Sequence, residues 1–164
     1  NNAMLRERNI KLYLDTSIIN FAVSEQGVAK EKEVTLQLFE QIRRGRFEAG
    51  ISEVVLREIS RAPEKKLQDL MEVLKKTPLV NLTVSEDAER LADKYVEEEI
   101  IPRKYREDAL HIAMAVVYEY DVVVSWNFEH MVKVKTRREV QGVNIMMGYK
   151  SIDIATPEEV IDYD

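Results

Sequence analysis

Cysteine is absent from the 164-residue chain, which excludes a disulfide framework and any thiolate metal site. That absence is compatible with a reducing cytoplasm, the expected location. No apolar run approaches membrane-spanning length and no secretory signal is read, so no membrane association is expected. No stretch is rich enough in Gly, Pro or Ser to mark an internal linker; one domain is expected, over residues 4–164. Asn1-Asn2-Ala3 before Met4 looks like an expression scar and is set aside. Basic charge is not in excess either. A formal net charge of −6 excludes blanket electrostatic adhesion to nucleic acid but not a local basic face.

What is present is a globular composition, 45% hydrophobic and 33% charged, with strands and helices in alternation. Leu12, Tyr13 and Leu14 form a short apolar run that stops at Asp15, Thr16 and Ser17, as a buried strand does when it delivers polar groups at its C-terminal end. Open parallel sheets bind ligands there. A carboxylate at such a place needs a cation, a basic side chain or backbone donors to offset its charge, or else it simply caps the next helix.

The spacing predicts a short helix over 17–23 and a longer one over 30–44, stopped by Gly45. A strand over 47–51 follows, then a helix capped by Ser52, on which Glu58 stands one turn after Val54 and so beside the core-facing side. Alone, Glu58 also reads as a surface acid pairing with Arg57 or Arg61. A helix over 63–76, a strand over 79–84 and a helix capped by Ser85 come next, the last closed by Glu97, Glu98 and Glu99, against the helix dipole and expected to fray or face solvent. From Arg103 to Tyr120 one helix is predicted. Its middle is apolar, Asp108 lies near its start, and His111 shares Asp108's face, as a hydrogen-bonded helix histidine or a ligand. The strand Val122-Val123-Val124 then ends in Ser125-Trp126-Asn127-Phe128, repeating the opening pattern. The segment 129–147 is expected to be helical at first, with an edge strand over 152–154 and a terminal helix after Thr156.

Such alternation predicts an α/β fold with a parallel, doubly wound sheet, whose right-handed crossovers bring the strand ends to one edge. Asp15 and the Ser125-to-Asn127 cluster then become neighbours, and Glu58 and Asp108 can face the same edge. Acids gathered there without Cys suit a hard cation such as Mg²⁺ or Mn²⁺, the ions of phosphoryl chemistry. Arg103, Lys104 and Arg106, or the denser run Lys133, Lys135, Arg137 and Arg138, are the candidates to hold a phosphate backbone; a solvated face is the other reading of each.

Taken together, Leu14-Asp15-Thr16-Ser17, Ser52-x5-Glu58, Asp108-Ala109 with Ala113 and Ala115, and Val124-Ser125-Trp126-Asn127-Phe128 resemble the PIN-domain family, in particular the VapC-like toxins of toxin–antitoxin pairs. The resemblance runs from about Leu12 to the end, in order and spacing. It implies a single PIN-like domain with a central, mostly parallel sheet flanked by helices, and metal-dependent cleavage of RNA. By position Asp15, Glu58 and Asp108 correspond to the family's first three acids, as catalytic residues and metal ligands. The fourth place, usually Asp, is Asn127, whose amide oxygen can ligate a cation without adding charge. Thr16, Ser125 and His111 would support the site, although His111 matches nothing in the minimal motif. An RNA substrate, a homodimer and a small antitoxin protein are the implied partners. Asn127 also keeps open a catalytically impaired PIN-like domain that binds RNA or protein. A dehalogenase-type phosphatase fits worse, because it needs an acid two residues after Asp15 and Ser17 stands there.

Overall fold

The computed structural model describes residues 9–25 and 29–163; the tripeptide before Met4 and the chain up to residue 8 lie outside the described residues. Strands β1 (Lys11–Leu14), β2 (Glu48–Ser52), β3 (Val80–Leu82), β4 (Val122–Val124) and β5 (Asp153–Ala155) form one sheet in the order β3-β2-β1-β4-β5. Every pairing is parallel, with Tyr13 opposite Gly50 on one side and Val123 on the other. The chain steps outward from β1 to β3, then crosses back to place β4 on the other side of β1. That reversal opens a crevice at the C-terminal ends of β1 and β4.

Strand alternation sorts the core into two layers. Leu12 and Leu14 face helices α1 (Thr16–Val23) and α2 (Ala29–Arg43) with Ile18, Leu38 and Phe39, joined by Val55 of α3 (Glu53–Ile59) and Leu70 of α4 (Glu64–Lys76). Tyr13 and Val123 face the opposite layer, built on α5 (Glu86–Glu97) and α6 (Arg106–Val117) with Leu91, Tyr95, Ile112 and Ala113. Helices α7 (Val134–Met146) and α8 (Pro157–Val160) complete the fold. Small residues let the layers approach: a side chain at Gly50 would meet the Tyr120 hydroxyl at 2.3 Å. Among the described residues no helix is long and apolar enough to cross a membrane.

Several element boundaries differ from the sequence expectation. The helix expected over 103–120 is a 3-10 turn, Arg103–Tyr105, followed by α6, which ends at Val117. Its end is a Schellman closure, with Glu119 N–H on Val116 C=O, Tyr120 N–H on Ala115 C=O and Glu119 at φ 59°. Helix α5 closes in the same way, with Glu99 at φ 59° and Ile100 N–H on Tyr95 C=O, so it is capped and not frayed. Ile100 and Tyr120 pack against the core beyond each turn, which offsets the roughly 1–2 kcal/mol cost of a left-handed residue other than glycine. The segment after β4 begins as turns, because the Asn127 carbonyl takes the N–H groups of both Met131 and Val132; helix appears only from Val134. Strand β3 has three residues, and Glu53 rather than a strand neighbour accepts the Val84 N–H.

Candidate active site

Asp15 follows β1 directly and is 3% exposed. It caps α1 by accepting from the Ser17 N–H at 3.0 Å. Two hydroxyls, Ser17 and Ser125, also donate to its carboxylate. Each is itself held by the loop after β4. Trp126 N–H donates to Ser17 Oγ and Asn127 N–H to Ser125 Oγ, both at 2.9 Å. Two backbone donors of one strand end are thus relayed through serines onto the acid of its neighbour. Burial nevertheless raises the Asp15 carboxyl above its ordinary range, against the lowering effect of His111 and these donors.

Asp108 sits in the first turn of α6, and Asn127 Nδ2 donates to its Oδ2 at 3.1 Å. The Asn127 amide oxygen accepts from the His130 N–H at 2.9 Å. The Asp108 carboxyl is pushed up to about 6, first by burial and then by the nearby charges of Asp15 and Glu58, with His111 and His130 acting the other way. Asp15, Glu58 and Asp108 therefore feel one another across the crevice.

Glu58 has a different setting. Its Oε1 accepts from Thr16 Oγ1 at 2.7 Å and bonds His111 Nε2 at 2.6 Å. Burial pushes the Glu58 carboxyl up, but the hydrogen bond and charge of His111, helped by Thr16, bring it below its ordinary range. His111 is 1% exposed, and its Nδ1 bonds the Tyr13 hydroxyl at 2.6 Å, which bonds Ser52 Oγ at 2.7 Å. Burial alone would lower His111; Glu58, with Asp15 and Asp108, raises it. Burial likewise holds the Tyr13 hydroxyl in its neutral form. The surface pairing considered for Glu58 is absent among the described residues: Arg61 pairs with Glu107 at 2.9 Å.

The structure thus brings Asp15, Thr16, Glu58, Asp108, His111, Ser125 and Asn127 to one edge. Sequence reading placed Ser17 in the opening motif without a role of its own and missed Tyr13 and His130. Tyr13 was legible as a strand residue, but its partner His111 lies 98 positions away. The basic residues are dispersed. Arg106 is paired with Asp93 at 2.8 Å. Arg137 lines a surface hollow with Ile10, Val122 and Asp153, at the opposite ends of the strands. Arg103, Lys104, Lys133, Lys135 and Arg138 are exposed.

Among the described residues no three Asp, Glu or His side chains stand close enough to form a metal cluster. Mg²⁺ needs no such cluster, because it keeps several waters and takes one or two carboxylates plus substrate phosphate. Asp15, buried, and Asp108, half-buried, both with carboxyls raised above their ordinary range, fit that hydrated two-carboxylate pattern.

No protein-family model matches the sequence, and no curated protein does. Solved structures do match the fold. VapBC2 from Rickettsia felis, bound to a DNA fragment from its promoter, superposes with a TM-score of 0.58 at 16% identity over 90% of this chain and 98% of that one. DNA-bound VapBC from Salmonella typhimurium gives 0.57 at 17% identity over 90% and 98%. FitAcB from Neisseria gonorrhoeae gives 0.56 at 12% identity over 91% and 99%. The chain therefore has the PIN-like α/β fold expected from its sequence, and a toxin–antitoxin complex from Klebsiella pneumoniae also matches it, with a TM-score of 0.54 at 16% identity over 73% of this chain and 88% of that one.

Proposed function

We propose that the chain is a metal-dependent RNA endonuclease of the PIN type, acting as the toxin of a toxin–antitoxin pair. One observation carries the reading: Ser125 and Asn127 tie Asp15 and Asp108 to one crevice, Ser125 donating to Asp15 and Asn127 bonding both Ser125 and Asp108, with the Asp15 carboxyl raised by burial and the Asp108 carboxyl pushed up to about 6 by burial and then by nearby acids. The two acids would hold Mg²⁺ or Mn²⁺. Such an ion polarises the scissile phosphate and makes hydroxide available from water at neutral pH.

The remaining work falls to the chain's own side chains. Ser17 and Ser125 fix the Asp15 carboxylate, so its orientation is set before substrate arrives. Asn127 does the same for Asp108 with its amide nitrogen. Thr16 and His111 hold Glu58 as an anion at the same edge, where it would complete the shell through a bound water or orient the attacking water. Exposed Arg103 and Lys104, with Lys133, Lys135 and Arg138, offer cations to the RNA backbone; Arg106 and Arg137 are turned to other partners or surfaces. The likeness to a toxin–antitoxin complex supports a small antitoxin protein that covers this edge; a homodimer, which the family resemblance implies, is tested by light scattering of the purified chain.

Incubating RNA with the chain in Mn²⁺, Mg²⁺ or chelator tests the reading. Cleavage should need the ion and stop with chelator. A second reading, a binding module without catalysis, is favoured by Asn127 at the fourth ligand position and by the commitment of Glu58 Oε1 to His111. It predicts RNA retained equally with and without chelator and no cleavage in any ion.

A further inference from the structure

Tyr105 closes the 3-10 turn that leads into α6, three residues before Asp108, and is 39% exposed. Its ring lies flat on the His130 imidazole, with centroids 4.1 Å apart and planes 29° from parallel. His130 is the residue whose N–H holds the Asn127 amide, and its charge is felt at Asp108. The stacked pair therefore borders the acidic crevice. Lys104 Nζ stands 5.7 Å from the Tyr105 centroid, and neither Lys104 nor Arg103 is in an ion pair among the described residues. On the other side of Asn127, Phe128 is 59% exposed and leans on Trp126, with centroids 6.2 Å apart.

An aromatic stacked on His130 through one face, with the exposed Lys104 ammonium over its ring for a base to displace and two acids nearby, has the features of a seat for an unpaired base. Single-stranded RNA is held in this way, with bases on aromatic faces and phosphates on cations, and every base offers such a face. A duplex presents no face to stack on. Resting on the ribonuclease reading above, we infer that Tyr105, backed by His130, stacks an unpaired base of the RNA beside the scissile phosphate, with Phe128 taking a neighbouring base.

Fluorescence anisotropy of the full chain in chelator, where no cleavage occurs, tests this with a labelled oligouridylate and an RNA duplex of the same length. The oligouridylate should bind the more tightly. Tyr105→Ala should weaken it about tenfold, Tyr105→Phe should restore it, and neither should change duplex binding. A 2-aminopurine placed in the strand should lose emission on binding the parent and not on binding Tyr105→Ala. Preference for the duplex, or equal oligouridylate affinity in Tyr105→Ala and parent while RNA is still cleaved in Mn²⁺, overturns the platform and leaves the nuclease. Absence of both RNA binding and cleavage in the parent overturns the two together.

Discussion

Glu58 and Asp108 are carboxylates on helices that meet at one edge of one sheet, yet the first is held below its ordinary range and the second is pushed up to about 6. The difference lies in what each touches. Glu58 has a buried imidazole and a hydroxyl on one oxygen. Asp108 is bonded by a neutral amide, and the charges of Asp15 and Glu58 act on it against those of His111 and His130. The Glu58 side is complete in that its carboxylate is bonded directly by the groups that favour its charge. The Asp15–Asp108 side is incomplete, because burial there outweighs the charge of His111, which bonds neither acid, and such an imbalance marks the place for an ion better than the number of acids does.

The largest expected effect is on the incomplete side. Asp15→Asn and Asp108→Asn should each cut RNA cleavage in Mn²⁺ by about a thousandfold or more, since each removes a ligand that cannot be replaced by water without loss of ion and alignment. Timed cleavage assays measure this; full activity in either variant removes that residue from the site. On the complete side, Glu58→Ala should cost about 1–3 kcal/mol of stability by stripping the charged partner from buried His111. Its Mn²⁺ affinity should fall much less than that of Asp108→Asn. Urea unfolding beside Mn²⁺ calorimetry reads both, and equal losses of affinity would erase the distinction between the two sides.

Asn127→Asp should shift the balance further. It replaces a donor to Asp108 by an anion, so Mn²⁺ should bind roughly tenfold more tightly while the metal-free form loses stability. No gain in affinity would mean that position 127 does not face the ion. The smallest effect concerns pH. The Asp108 carboxyl binds its proton more tightly in the folded chain than at its ordinary 3.8, so its ionisation weakens the metal-free fold as pH rises from there through about 6. Asp108→Asn lacks this loss. Its melting temperature relative to the parent, in chelator, should therefore climb by several degrees across that window and stay level above it. A flat difference would place Asp108 in ordinary solvent.

The sheet and the acidic edge were legible because their signals are local. Leu12, Tyr13 and Leu14 running into Asp15, Ser52 ahead of a helix, and three valines running into Ser125 each state a strand end within a few residues. Gly45, at φ 81°, was an equally local stop. What could not be read was set by contacts distant in sequence. The fate of Glu58 depends on His111, 53 positions on, and the orientation of Asn127 depends on Asp108 and on a turn that the Asn127 carbonyl builds itself. The left-handed turns at Glu99 and Glu119 also gave no sign, because residues other than glycine adopt them here to bring Ile100 and Tyr120 onto the core.

Trp126, the chain's single tryptophan, is tied to the site at both ends of the residue. Its N–H holds Ser17, which holds Asp15, and its indole Nε1 donates to Thr35 at 2.8 Å beneath α2. The chain thus has one natural fluorophore, 6% exposed, two hydrogen bonds away from a candidate ligand. Its emission can report ion arrival and unfolding without any label, and every variant discussed above leaves that lamp in place.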